Sequence, residues 1–486
     1  MAESEFKLKP GMHLHFVGIG GAGLSAIARV ALGRGHPVSG SDRQLNKLTA
    51  ALQAEGAAIF EGHRPEQVGE ADAMILSSAI PPTNPEIQEA RARGIPVLKR
   101  ADFLGHLMAG RIGIAVAGSH GKTTTTAMIA QVLLQAELDP TIILGGVMPA
   151  LGTNGRHGDG DFFVIEADEY DHMFLGLRPE VIVLTNLEHD HPDIFPTRAD
   201  YTAAFRRFVS LLPEGGRLIA CADDAGTAAL LGDVHLPEVE VTRYGLACSG
   251  ETTPAEFRAL DCRPNQHGGT DFLVEEDGQM IGLARLRVPG EHNVCNALAA
   301  AIVCLDVGVD FGVIRQGLAE FGGVGRRFQV IGEVRGVTVI DDYAHHPTEI
   351  RATLAAARQR YPGRRLWAVW QPHTYSRTQL LLQEFAASFG DADRVVALDI
   401  YRSRETDTLG IETAAVVEAM PHQQAVPVPG MKEAAAYILD RVHPGDVVLT
   451  LSAGDGNLVG QWVLDGLAER ESPAAAKVHG DQFNGG

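Results

Sequence analysis

From residue 112 the chain reads IGIAVAGSHGKTTTTAMIAQVLL: a strand-like apolar run, a turn bracketed by glycines, then a helical stretch through Leu134. Few junctions constrain a fold as tightly. Backbone amides at a helix N-terminus, a lysine ammonium and a hydroxyl suit the phosphates and Mg²⁺ of ATP, and they meet where a strand delivers its turn to the rim of an α/β sheet. The residues expected to touch ATP are therefore Gly118, Ser119, His120, Gly121, Lys122, Thr123 and Thr124. The loop is shorter than the general P-loop pattern, because Val116 stands where that pattern has its first glycine and the glycine falls at 118. A plain surface turn before a helix is the alternative, and it leaves the adjacent Gly-Lys-Thr without a reason.

Comparable strand-helix alternation flanks this segment on both sides. Residues 13 to about 107 alternate HLHFVG, PVSGSD, AAIFEG, ADAMILSSA and PVLKR with helical stretches, and DFFVIEAD and VIVLTN follow the Gly-Lys-Thr helix. A third pattern begins near Arg326 with GVTVIDD, RLWAVWQPH, RVVALDI and GDVVLTLS. A chain of 486 residues exceeds what one core usually serves, so the reading is an α/β protein of three domains. Their expected extents are 1–107, 108–324 and 325–486, with a frayed tail from about Ser472. Between about Cys221 and Val288 the pattern loosens, and a helix from about Asn293 to Leu305 follows.

Composition excludes several function classes. A formal net charge of −20 without any Lys/Arg-rich run argues against a nucleic-acid partner. No run approaches the roughly 18 apolar residues of a membrane span, and MAESEFKLKPG has no apolar signal core, so the expectation is a soluble, unexported chain. The five cysteines show no C-x-x-C pair and no ligand-like spacing, which fits a reducing cytoplasm.

A second glycine loop, Gly18-Ile19-Gly20-Gly21-Ala22-Gly23, follows the first strand and opens a helix, and Asp42 ends the next strand. Such glycines let amides approach a diphosphate while an acid accepts from a ribose hydroxyl, which serves NAD or a UDP-sugar equally. Packing of helix on strand is the bland alternative. Glu166, Asp168 and Glu169 end another strand, where a carboxylate can meet Mg²⁺ held by Thr123. In TNLEHDHPD the pair His189 and His191 has the H-x-H spacing of a zinc site, but no further ligands follow at zinc-like spacing, so Mg²⁺ with phosphate is preferred. In the third domain Asp341, Asp342, His345, His346, His373 and Arg377 all follow strands, and Arg377 suits a carboxylate. A lone strand-end histidine is more often a structural hydrogen-bonder than a catalyst; it is the clustering that points to a site.

The segments GIGGAG, GSHGKTTT, EADE, TNLEHDHPD, GEHNVCNALAA, GVGRRF, DDYAHHPTE and QPHTYSRT, in this order over residues 12–465, resemble the Mur ligase family. The resemblance implies an N-terminal Rossmann-like UDP binder, a central P-loop-type ATPase and a C-terminal Rossmann-like domain. DDYAHHPTE and QPHTYSRT look like the member that joins L-alanine to UDP-N-acetylmuramic acid through an acyl phosphate, using ATP and two Mg²⁺ ions. Carried over by position, Gly18, Ile19, Gly20, Gly21, Gly23, Asp42, Ser77, Ser78 and Ala79 hold the UDP-sugar. Lys122 holds the β- and γ-phosphates, Thr123 and Glu166 one Mg²⁺, and His191 the second. His292, Asn293 and Asn296 approach the adenosine, with Arg327 and Asp342 nearer the phosphates. His345 or His346 assists the alanine amine, while His373 and Arg377 hold its carboxylate. Monomer and homodimer both stay open.

Two departures stand out, Tyr170 where many members have serine and Thr374 where some have arginine. Other relatives carry a CO₂-modified lysine beside the second ion. Here Lys7, Lys9, Lys47, Lys99, Lys122, Lys432 and Lys477 are all the lysines, which leaves no candidate for that role. The rivals are a ligase that attaches a whole tripeptide to the same sugar, an NAD-dependent dehydrogenase, and a nucleotide switch. The dehydrogenase leaves Gly-Lys-Thr unexplained, and the switch has no use for the first glycine loop.

Overall fold

A computed structural model of the protein describes residues 6–248 and 253–470; the tail expected to fray lies outside the described residues. Two compact units are present. The first comprises Met1–Arg263, Asp271–Leu286 and Asn293–Val324, and the second Pro264–Thr270, Arg287–His292 and Gly325–Gly486.

The first unit holds two sheets. Strands β1 (Leu14–Val17), β2 (Val38–Asp42), β3 (Ala58–Glu61), β4 (Ala73–Leu76) and β5 (Val97–Lys99) form a parallel sheet of order β3-β2-β1-β4-β5. The strand order reverses between β1 and β4, and in such sheets ligands bind at that crevice. The strand LHFV is buried along its whole length, as a central parallel strand covered on both faces must be.

The second sheet contains β6 (Ile112–Ala117), β7 (Thr141–Met148), β8 (Thr153–Arg156), β9 (Phe162–Glu166), β10 (Val181–Leu184), β11 (Arg217–Cys221), β12 (Glu240–Leu246), β13 (Phe257–Pro264), β14 (Thr270–Glu276) and β15 (Gln279–Arg285). Its order is β15-β14-β13-β12-β11-β10-β6-β9-β7-β8. The central strand β6 thus has β10 and β9 as its neighbours, both parallel to it. The loosened region of the sequence is the far wing of this sheet. Along β14 buried and part-buried residues alternate, and β12 mixes exposed, part-buried and buried residues, so neither carries a continuous apolar signal.

Within the first unit the two sheets share packing. Asn154 of β8 is fully buried; its amide nitrogen donates to the Ala22 carbonyl (2.6 Å) and its Oδ1 accepts from Arg29 (2.9 Å). A Cβ on Gly155 would lie 2.8 Å from the Ala26 carbonyl oxygen, so the helix Ala22–Gly33 sits close against this strand.

The second unit holds β16 (Gln329–Val334), β17 (Val337–Asp342), β18 (Leu366–Trp370), β19 (Arg394–Ala397), β20 (Ala425–Pro427) and β21 (Val447–Leu451), ordered β16-β17-β21-β18-β19-β20. Strands β17, β18 and β21 are wholly buried. β16 is antiparallel to β17 and forms an edge that the sequence pattern did not reveal.

The structure also pairs Cys248 with Cys262 (S–S 1.95 Å), which their spacing gave no sign of.

Candidate active site

The first glycine loop sits at the switch point. Gly18 has φ +83°, and a Cβ there would come within 2.9 Å of Ser77, which follows β4, so only glycine fits between the two strand ends. The Ser41 carbonyl accepts the amides of Gly18 (2.8 Å) and Ile19 (3.1 Å), and the Ile19 side chain is buried in the core. Asp42 Oδ2 accepts the Gly20 amide at 2.8 Å, and the Asn46 side-chain amide donates to the Gly20 carbonyl at 3.0 Å. Asp42 therefore braces the loop as well as standing where a ribose acceptor is expected. Asn46 is a loop-holding residue that sequence reasoning passed over. Ser78 and Ala79 are exposed beyond Ser77.

The Gly-Lys-Thr loop joins β6 to the helix Lys122–Gln135. Gly118 (φ +136°) leaves no room for a side chain beside Thr185 and the Asn186 backbone. Gly121 (φ +80°) is equally crowded, since a Cβ would meet Asn296 Oδ1 at 2.5 Å, and Asn296 in turn donates to Asn293 Oδ1 (3.2 Å). The Ser119 hydroxyl donates to the Glu188 carbonyl (2.7 Å) and lies 2.9 Å from the Tyr201 hydroxyl, while the His120 amide donates to Asn186 Oδ1 (2.8 Å). Thr123 is buried beneath the loop, and Thr124 is half-buried.

Lys122 curls back over this loop. Its Nζ donates to the carbonyls of Gly118 (2.6 Å) and Ser119 (3.1 Å) and lies 3.0 Å from Glu169 Oε2. Burial by itself lowers the lysine, but the carboxylates of Glu169, Glu166 and Asp168 outweigh it and hold the ammonium above its ordinary value. Glu169 is fully buried, and His191 Nε2 approaches its other oxygen at 3.7 Å and Asp190 Oδ2 at 3.7 Å. Lys122 and His191 thus converge on one carboxylate, which the sequence reading named only as one of three strand-end acids. His189 points elsewhere, its Nε2 on the Phe195 carbonyl at 2.7 Å, so the H-x-H pair does not close on one ion. Tyr170 packs its ring against His191 (centroids 5.1 Å) and donates to Asp193 (3.0 Å), which is how this chain uses the position where serine is common.

Glu166 ends β9 beside β6, and its Oε2 accepts the Gly145 amide at 2.8 Å. Between this carboxylate and the first glycine loop lies a cavity of about 180 Å³, lined by Gly23, Arg100, Gly145, Glu166, Asp168 and apolar neighbours. Arg100 is its cation. A Cβ on Gly23 would fall 2.6 Å from Arg100 Nη1, and Arg100 Nη2 lies 3.5 Å from Asp168. Nothing at sequence level marked Arg100, since its meaning depends on the packing of the two sheets within this unit.

In the second unit the strand ends gather the expected side chains. Asp342 is buried and accepts the amides of Phe328 and Ala344 (2.7 Å each); burial raises it to about 6 against the pull of Arg327. Arg326 and Arg327 both lie over the Tyr343 ring, at 5.1 and 5.2 Å, and Arg327 reaches Glu349 (3.4 Å). Glu349 Oε2 accepts the His345 amide (2.9 Å) and lies 3.2 Å from its Nδ1. His346 is the N-cap of helix Pro347–Arg360, its Nδ1 accepting the Thr348 amide at 3.3 Å. That capping duty sets it apart from His345, whose ring lies 5.9 Å from that of His373. His373 stacks on Tyr401 (5.6 Å), and buried Arg377 donates to its Nδ1 at 3.1 Å. Thr374 takes φ +68° and donates its amide to the Tyr401 carbonyl (2.9 Å), which seats this turn. His292 lies in the first turn of helix Glu291–Asp306.

Parallel α/β sheets with two glycine loops at helix N-termini, one of them Gly-Lys-Thr beside buried acids, are the framework of a nucleotide-dependent enzyme. Comparison with known proteins narrows this class. Residues 13–112 match the Mur ligase family catalytic domain, 116–304 the Mur ligase middle domain, and 326–454 the Mur ligase glutamate ligase domain. The chain belongs to the Mur ligase family. It is 45% identical over 460 residues to the UDP-N-acetylmuramate--L-alanine ligase of Salinibacter ruber, covering 93% of this chain and 95% of that one. Among solved structures it is similar to UDP-N-acetylmuramate-alanine ligase MurC of Thermotoga maritima (TM-score 0.79, 29% identity, covering 94% of this chain and 99% of that one). It is also similar to a murein peptide ligase of Psychrobacter arcticus (TM-score 0.69, 26% identity, 94% and 99%).

Proposed function

We propose that this protein joins L-alanine to the lactyl carboxylate of UDP-N-acetylmuramic acid in peptidoglycan precursor synthesis, converting ATP to ADP and phosphate. The observation that carries the reading is the cavity shared by Gly23, Arg100, Glu166 and Asp168, which joins the end of the first glycine loop to two acids whose charge also acts on Lys122. A carboxylate is a poor acyl donor. Its oxygen attacks the γ-phosphorus and ADP leaves; the neutral alanine nitrogen then attacks the acyl carbon, phosphate leaves, and the nitrogen loses a proton.

The glycine loop Gly18–Gly23, Asp42 and Ser77–Ala79 bind the UDP moiety, and Arg100 neutralises the carboxylate as it approaches the phosphates. Lys122 holds the β- and γ-phosphates, exchanging for them the Glu169 carboxylate that lies 3.0 Å from its Nζ and the loop carbonyls. His292, Asn293, Asn296, Arg327 and Asp342 serve the nucleotide. The oxygen donors of Thr123 and Glu166, and the imidazole of His191 beside buried Glu169, fit two Mg²⁺ ions, which would supply charge neutralisation of the phosphates. Arg377 and His373 hold the alanine carboxylate, and His345, whose ring lies beside that of His373 while His346 caps a helix, orients or deprotonates the amine. The domains are taken as 1–107, 108–324 and 325–486. Such an enzyme works in the cytoplasm, without nucleic acid or membrane; among the described residues no helix is long and apolar enough to cross a membrane.

The decisive experiment measures phosphate release with UDP-N-acetylmuramic acid while the acceptor is varied. Alanine-dependent release supports the reading. Release with an L-alanine-containing tripeptide and none with alanine would replace it with the peptide ligase.

A further inference from the structure

Using none of the residues assigned above, although Cys295 adjoins Asn296 on its helix, the first unit brings together the thiols of Cys221 and Cys295 and the carboxylate of Asp223. Each offers one ligand atom, and these atoms all lie within 4.8 Å of one another. Cys221 is buried at the end of β11, Asp223 is exposed two residues on, and Cys295 is half-buried on helix Glu291–Asp306; neither cysteine is in a disulfide.

The surroundings are fixed by hydrogen bonds. Asp223 Oδ2 accepts the Leu246 amide (2.6 Å), and Asp224 Oδ1 accepts those of Leu187 (2.8 Å) and Thr227 (2.7 Å), so the turn after β11 is held at three points. Buried Tyr244, the partner of Cys221 in the sheet, closes one side.

We propose that Cys221, Cys295 and Asp223 form a binding site for a soft divalent cation of the zinc and cadmium class, with water as the fourth ligand. Paired thiols select such ions over Mg²⁺, whose preference is for oxygen. With metal–sulfur bonds of about 2.3 Å, tetrahedral donors stand roughly 3.8 Å apart, so rotation of side chains by about 1 Å closes the set. Binding converts two thiols to thiolates and releases two protons to solvent. Asp224 adds negative charge nearby, which favours a cation.

The test titrates full-length protein with Cd²⁺ under reducing, oxygen-free conditions with Mg²⁺ in excess, following the ultraviolet thiolate-to-cadmium absorption and the bound metal by dialysis. A Cys248→Ser/Cys262→Ser background removes the other cysteine pair. One ion per chain is expected, with affinity lowered about tenfold or more by Cys221→Ser or Cys295→Ser. Asp223→Asn, on an exposed position, weakens binding while keeping the thiolate band, and keeps the test informative if a serine variant does not fold. Undiminished binding in Cys295→Ser, or absence of the band, would overturn the site.

Discussion

Arg377 offers the sharpest test of the amino-acid pocket. Its side chain is 3% exposed, and one guanidinium nitrogen donates to His373 Nδ1 at 3.1 Å. Arginine can only donate, so Nδ1 is the acceptor of that bond, and the His373 ring is oriented by the residue proposed to bind the alanine carboxylate. On the proposed assignment, truncation to alanine removes a desolvated cation that pairs with the alanine carboxylate. Losing one partner of such a pair costs about 2–5 kcal/mol, or roughly thirtyfold to several-thousandfold in affinity. Coupled phosphate release should therefore show the KM for alanine rising by about that factor in Arg377→Ala, with the KM for ATP changed less than about threefold. Arg377→Lys should fall between, because a point charge replaces a planar fork. An unchanged alanine KM removes Arg377 from the pocket. Equal rises for ATP and alanine would mean the variant disturbs the fold of the turn rather than a substrate contact.

Lys122→Ala should abolish ADP formation while UDP-N-acetylmuramic acid still binds by calorimetry with near-normal affinity; parallel loss of both would refute the assignment of separate loops. His191→Ala should weaken the Mg²⁺ dependence and lower kcat, whereas removing dissolved CO₂ should change nothing, because no lysine lies between Thr123 and Met431 to carry a carbamate; activity that depends on bicarbonate would sink this. Asp342, raised from an ordinary 3.8 to about 6 by burial, favours the folded state fully below about pH 4 and loses that contribution as pH rises through 6. The shift corresponds to about 3 kcal/mol. Urea unfolding of Asp342→Asn should accordingly gain on the parent between pH 4 and pH 7, and parallel pH profiles would show that the carboxyl titrates normally.

Much of this molecule was legible in the sequence because local chemistry repeats local geometry. The strands LHFV, VTVIDD and VVLTL are rich in apolar residues and buried along their whole length, since a central parallel strand is covered on both faces. Both glycine loops announced themselves through positions that tolerate no Cβ, as Gly18 and Gly121 illustrate. The wing from β12 to β15 was not legible, because its strands are half-exposed and mix polar with apolar residues.

What the sequence by itself determined is the three α/β patterns, the two glycine turns at helix N-termini and the set of strand-end acids, imidazoles and arginines. Tertiary structure alone decided which of these act together. Lys122 and His191 meet at Glu169 because β6, β9 and β10 are neighbours, although β9 and β10 are separated from β6 along the chain. Arg100, which opens a helix packed against the first sheet, faces Asp168 beyond β9, and Cys221 at the end of β11 faces Cys295 on a helix, through the packing of layers rather than through strand order. Residue type and spacing fix what a side chain is able to do within a turn or two. Its partner across a sheet depends on strand order, which is set by the packing of whole layers and leaves no local trace.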